Sequence, residues 1–138
     1  MPAGIIHIVP ARVHVRGADR PLEPRLLLVY SAHDPLAVQV VFPQVHGEEP
    51  IRWTFARDLL AEGLRQPAGV GDVRVAPCGD GWLRLALSSP EGYAELQLSA
   101  EAVGEFVRHT GVVVPPGLER TDDSLEALLG TVLTKGQT

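Results

Sequence analysis

The sequence predicts an α+β protein of antiparallel β-sheets, with about six or seven strands, two principal helices and a short third one. Three observations carry that expectation. Twelve prolines and fourteen glycines in 138 residues cut the chain into short pieces, which favours strands over long helices. Apolar residues in most of these pieces recur at every second position, the period of a half-buried strand. Helical stripes interrupt the strands only where a capping residue or a glycine accompanies them.

Ile5 to Arg16 alternates loosely, with Val13 and Val15 on one face and His14 and Arg16 on the other. Leu26 to Tyr30 is a continuous apolar run after Pro24, and Leu36 to Phe42 is a second, closed by Pro43. His33-Asp34-Pro35 between them reads as the turn of a hairpin. Leu26–Tyr30 and Val38–Phe42 look apolar on two faces, and in a small sheet with few helices that predicts self-association. Ile51, Trp53 and Phe55 alternate with Arg52 and Thr54 in another strand with one buried face. A short helix follows, with Phe55, Leu59 and Leu60 as its stripe and Gly63 as a left-handed stop. Gln66 to Asp72 is a loop. Its glycines lie between a helix and a strand, the reverse of the order a phosphate-binding loop requires.

Val73 and Val75 begin the next strand, which ends at Pro77. Trp82 to Leu87 sets Leu83, Leu85 and Leu87 against Trp82, Arg84 and Ala86, and Pro90-Glu91-Gly92 turns it back into Tyr93 to Leu98. Ser99 reads as an N-cap whose hydroxyl accepts the backbone N–H of Glu101 or Ala102, with Leu98 and Val103 as a hydrophobic staple. Val103, Phe106 and Val107 form the buried stripe, and Gly111 is expected to end this helix before an extended Val112–Pro116 segment. A last helix, capped by Thr121, carries Leu125, Leu128, Leu129 and Val132 at helical spacing. The two halves, strands then helix, share an order without residue-level similarity.

The 138 residues suit one domain, and a chain of this size buries roughly 68–70% of its unfolded surface. The single cysteine, Cys78, leaves no partner for an internal disulfide and no Cys-based zinc site. Its turn setting beside Asp80 does nothing to activate a thiolate. No stretch reaches the ~18 apolar residues of a membrane span, and the first ten residues lack the basic region of a signal peptide. A soluble, intracellular location is expected. Twelve basic against seventeen acidic residues give a net charge of −5, which speaks against a protein built on phosphate contacts.

His7, His14, His33, His46 and His109 show no metal-ligand spacing, and Ser88-Ser89 lacks a nucleophile elbow. His7 and His14 are expected on exposed strand faces and His109 at a helix C-terminus. No nucleophile, base and orienter come together, so no catalytic, cofactor-binding or metal-binding residue is assigned and no cofactor is expected. Glu119, Asp122, Asp123 and Glu126 crowd the start of the last helix, where they offset its dipole. The exposed strand faces are the more informative feature. Arg52, Arg74 and Arg84 alternate with apolar positions, and Trp82 shares a face with Arg84. Arginine beside an aromatic side chain suits a protein interface or a base-stacking platform with Tyr93, and the acidic balance favours the former.

Several strings are recognisable together: Asp34-Pro35-Leu36-Ala37-Val38, Trp53 through Leu64, Pro67-Ala68-Gly69, Gly71 through Val75, Phe106, Thr110 and Val114 through Glu119. The chain, over about residues 8–134, resembles the SsgA-like proteins, sporulation and cell-division regulators of mycelial, spore-forming actinobacteria. The most specific block is Trp53-x-Phe55-x-Arg57-x-Leu59-Leu60-x-x-Gly63-Leu64. The resemblance implies a single SsgA-like domain spanning 1–138, a whirly-like fold, a homotrimer and a small cytoplasmic protein without catalytic activity. It further implies action at the division septum, where members of the family recruit the tubulin-like protein FtsZ or steer wall synthesis. The expected partners are the protein itself, FtsZ and another SsgA-like protein, with nucleic acid and membrane insertion disfavoured. In the signature block Trp53, Phe55, Leu59, Leu60 and Gly63 are structural. Arg57 is least explained by packing: it pairs with Asp58, Glu62 or a neighbouring subunit, or joins Arg74, Trp82 and Arg84 on an interaction surface.

Overall fold

The computed structural model describes residues 4–14, 19–42, 49–90 and 92–119. Four strands, β1 (Gly4–Val13), β2 (Arg25–Ser31), β3 (Ala37–Phe42) and β4 (Ile51–Ala56), lead into the short helix α1 (Arg57–Gly63). Three more, β5 (Val73–Pro77), β6 (Trp82–Ser89) and β7 (Gly92–Ser99), lead into α2 (Ala100–Val113). The seven strands form one antiparallel sheet in the order β4-β3-β2-β1-β7-β6-β5. The expected α+β class and strand count are therefore observed. The helix placed after Thr121, His46, and Val15 and Arg16 lie outside the described residues.

β1 is the hinge of the sheet. Gly4 to Pro10 pair with β2, whereas Ala11 to Val13 pair with β7. One ten-residue strand thus serves two halves that curl towards each other, because alternate residues along it must face a common interior. Val9, Ala11, Leu26, Leu28, Val38, Val40, Leu83, Leu85, Leu87, Leu96 and Leu98 fill that interior, and Leu60, Val103 and Phe106 of the helices close it. The β2–β3 hairpin turns through the Asp-Pro signal, with Asp34 N–H donating to the Ser31 carbonyl and Tyr30 Oη donating to the Pro35 carbonyl at 3.0 Å. Gly79, Asp80 and Gly81 all lie at positive φ, forming the tight β5–β6 turn; Asp80 is the non-glycine residue among them.

Ser99 caps α2, its Oγ accepting the Ala102 N–H at 3.1 Å. Several local expectations are corrected. Phe55 ends β4 rather than starting the helix, and α2 runs through Gly111 and Val112 to Val113. Gly111 has no left-handed φ, so nothing stops the helix there. Nor is Gly63 a left-handed stop; it is the buried last residue of α1, where a Cβ would stand 2.2 Å from Val75 Cγ1. Glycine is required there by close approach of helix and strand, not by backbone conformation. His7 is not on an exposed face: its ring lies against Phe106, and its Nε2 is 3.0 Å from His109 Nδ1.

Candidate interaction surface

The register places the proposed surface residues in rows across the outer face of β5, β6 and β7. Ala76, Arg84, Gln97 and Arg12 form one row, and Arg74, Ala86 and Glu95 the next. Arg74 and Arg84 are thus brought together, one row apart. Their neighbour Glu95 forms an ion pair with Arg84, 3.3 Å from its Nε, and accepts from Tyr93 Oη at 3.0 Å. The Glu95 carboxylate holds the Tyr93 phenol above its ordinary value of 10.0, chiefly through that hydrogen bond. Ala86, small and 9% exposed, floors a cleft of about 360 Å³ between these side chains and the loop Pro67–Val70. Arg74 has no ion-pair partner among the described residues. Trp82 shares the outer face but does not line the cleft, because the Arg12 guanidinium covers its ring, 4.4 Å from the centroid.

Arg57 does not belong to this surface. It is 3% exposed and packed inside, opposite to the expectation of an interaction residue. Its Nη1 donates to the Thr110 carbonyl at 3.1 Å and the Val114 carbonyl at 2.7 Å, and its Nη2 donates to Glu119 Oε2. Neither Asp58 nor Glu62 is its partner; Glu62 pairs with Arg65. Tyr30 lies under the guanidinium, 5.1 Å from ring centroid to Cζ. The Arg57 hydrogen bond holds the Glu119 carboxyl below the usual carboxylate range, and burial raises the Tyr30 phenol despite that cation. Arg57 therefore ties α1, the end of α2 and the segment after it into one network. Of the other signature residues, Phe55 and Leu60 are buried, and Trp53 and Leu59 pack against the core.

Sequence reasoning missed a cleft of about 480 Å³ that Ile51, Arg52 and Trp53 of β4 line together with Leu87, Ser89 and the start of β7. On the outer face of the first half, where the sequence reads the β2 and β3 runs as apolar on both sides, the rows Ile8–Leu27–Val41 and Ile6–Val29 form an apolar patch. Ile6 and Ile8 are 64% and 63% exposed. Sequence reasoning missed this β1 share, although residues 5–9 are apolar at both parities save His7. No group of three or more metal-ligating side chains occurs among the described residues, and no described helix is long and apolar enough to cross a membrane.

The model of the family described as Streptomyces sporulation and cell division protein, SsgA, matches residues 25–119. This chain belongs to the SsgA family. The match runs from the first residue of β2 to the carboxylate that holds Arg57. Among curated relatives, the sporulation-specific cell division protein SsgB of Streptomyces coelicolor is 46% identical over 111 residues, covering 78% of this chain and 80% of that protein. The SsgB of Kineococcus radiotolerans is 43% identical over 112 residues, 78% of this chain and 67% of its own. Two solved structures share the fold with a TM-score of 0.77. One is SsgB from a study of mutations that correlate with longitudinal cell division during sporulation of Streptomyces coelicolor, at 41% identity over 86% of this chain and 94% of that one. The other is an SsgA-like sporulation-specific cell division protein from Thermobifida fusca, at 32% identity over 96% of both chains. The SsgA-family relatives are thus sporulation-specific cell division proteins, and in this chain the signature block packs α1 and holds the Arg57 network.

Proposed function

We propose that the chain is a non-enzymatic regulator of sporulation-specific cell division, acting as an oligomeric, protein-binding scaffold at the septum. Its partners are further copies of itself, most simply in a trimer, and FtsZ or another SsgA-like protein. The observation that carries the oligomeric part is the outward apolar patch: Ile6 and Ile8, nearly two-thirds exposed, extend across β2 to Leu27 and Val29. An apolar sheet face of this kind is costly to leave in water and is covered by association. Several identical docking surfaces in one ring raise the effective concentration of a polymerising partner without any catalytic step. The cytoplasmic side of the septum is where such a partner assembles. The whirly-like likeness belongs to the same reading: curled antiparallel halves with a helix after each fit it in outline.

A pull-down with purified FtsZ, run beside a labelled single-stranded oligonucleotide titration at two salt concentrations, tests the reading. Retained FtsZ with no oligonucleotide response is the expected result. Oligonucleotide binding that falls steeply with salt, without FtsZ, would establish the alternative, a single-stranded nucleic-acid binder of whirly-like fold. The cation already lying over Trp82 favours the protein-binding reading, because that ring is not open for a base.

A further inference from the structure

The outer face of β5 and β6 carries a hollow with a simple cause. The register sets Arg74 opposite Ala86 and Ala76 opposite Arg84, and side chains two apart on one strand share a face. The two arginines therefore stand on one diagonal of a four-residue cell and the two alanines on the other. Because the alanines end at Cβ, the surface sinks there into the cleft of about 360 Å³, within the roughly 300–1,000 Å³ of ligand-binding clefts. Its far wall, the loop Pro67–Val70, is pinned: Ala68 and Val75 exchange both backbone hydrogen bonds, at 2.8 and 3.0 Å. Gly69, at φ 93°, lets that wall close on β5, since a Cβ there would stand 2.4 Å from the Val73 carbonyl oxygen. The cleft is thus preformed.

Two cations and one carboxylate line it. Glu95 is engaged by Arg84 and the Tyr93 hydroxyl, whereas the exposed Arg74 has no ion-pair partner among the described residues. One positive charge is left over, on a chain of net charge −5. That excess matches a carboxylate, which a guanidinium binds through two parallel N–H donors, and undercompensates a phosphate of charge about −1.5 to −2. Beside the cation the floor is apolar, from Ala76 and Ala86, and the rim carries Val70, fully exposed, and Tyr93, 61% exposed. A small free acid held in the hollow leaves that rim in water. A longer chain crossing the cleft covers both side chains.

We propose that this cleft binds an acidic side chain flanked by apolar residues in an exposed segment of a partner protein. Its carboxylate sits on Arg74, and its neighbours cover the alanine floor and the rim of Val70 and Tyr93. The inference rests on the protein-scaffold reading and specifies the chemistry the partner presents.

Fluorescence anisotropy with the full chain and a pooled library of labelled ten-residue peptides tests this. Each peptide holds one glutamate between randomised Leu, Ile, Val or Phe; matched pools carry glutamine or phosphoserine in its place. Free isovalerate is the small-acid probe, and NMR of the Ala76 and Ala86 methyl groups locates binding. Saturable binding of the glutamate pool, with both methyl signals shifted, is expected. Arg74→Glu should weaken it roughly tenfold by reversing the charge, and Ala86→Leu comparably by filling the hollow with no change of charge. Both side chains are on the outer face, and circular dichroism checks that each variant folds. Absence of binding by the glutamate pool, binding indifferent to both substitutions, equal binding of the glutamine pool, preference for phosphoserine, or methyl shifts with isovalerate alone overturns the proposal. A natural chain that retains FtsZ but binds no glutamate peptide overturns the cleft and leaves the scaffold reading intact. Peptide binding at the cleft by a chain that retains no FtsZ supports the cleft and counts against that partner alone.

Discussion

Arg57, the first residue of α1, and Glu119, beyond the end of α2, form a nearly water-excluded ion pair 62 positions apart in sequence. Side-chain exposures of 4% and 11% mean that Arg57 depends on Glu119 and the carbonyls of Thr110 and Val114 for its solvation, and Glu119 on Arg57 and the Gly117 N–H. Arg57→Ala removes the cation and leaves the carboxylate without its counter-charge. Chemical denaturation should show a loss of about 3–5 kcal/mol. A loss below about 1 kcal/mol would show that the network contributes little.

The same pair sets the acid limb of stability. Glu119 is held below the usual carboxylate range in the folded state, by the Arg57 hydrogen bond first. Its contribution is therefore present above the unfolded carboxylate value and lost as pH falls through the lower folded value. Glu119→Gln should be less stable than the natural protein at neutral pH, with the difference shrinking towards strongly acidic pH. Tyr30 acts oppositely. Burial raises its phenol above 10.0, so its contribution is complete below that value and declines as pH rises past it. Tyr30→Phe, which also forgoes the bond to the Pro35 carbonyl, should flatten the alkaline limb. Denaturant midpoints across pH measure both effects.

Two glycines should respond with opposite sign. At Gly63 an added Cβ meets Val75 side-chain atoms at 2.2 and 2.4 Å and its backbone carbonyl carbon at 3.1 Å, so Gly63→Ala should destabilise by about 1–3 kcal/mol or more. At Gly104, inside α2, the Cβ meets nothing within 4 Å, and Gly104→Ala should stabilise by about 0.5–1 kcal/mol. Urea melts of the two variants compare them directly.

The cap of α2 gives a smaller, independent prediction. Ser99→Ala deletes the acceptor for the Ala102 N–H and should cost about 1 kcal/mol. Ser99→Asp, which keeps an acceptor and adds a negative charge at the helix N-terminus, should restore most of it.

The outer apolar patch separates assembly from folding. Ile8→Glu changes a side chain 63% exposed in the isolated chain, so secondary structure should be unaffected. Sedimentation velocity should then show an oligomer for the natural chain and a monomer for the variant. An unchanged sedimentation coefficient would place any interface elsewhere.

Local chemistry was legible in the chain. The Asp34-Pro35 turn, the strand alternations and the Ser99 cap need only residues a few positions apart, and each was found where the sequence placed it. The family was legible from several strings together, the signature block being the most specific because its pattern is long, and Phe55 and Leu60 are buried as their spacing implies. What sequence could not determine are the meetings of distant residues. His7 reaches His109 across 102 positions, Gly63 meets Val75 on another strand, and Arg57 finds Glu119 rather than its helical neighbours. An arginine beside an aspartate and five residues before a glutamate pairs locally only if its side chain is in water. Once α1 turns Arg57 inward, desolvation forces it onto whatever acceptors the interior supplies, here the end of α2 and Glu119. Only the tertiary structure, by curling the sheet around β1, decided which arginines stand in water on the strand faces and which one is enclosed.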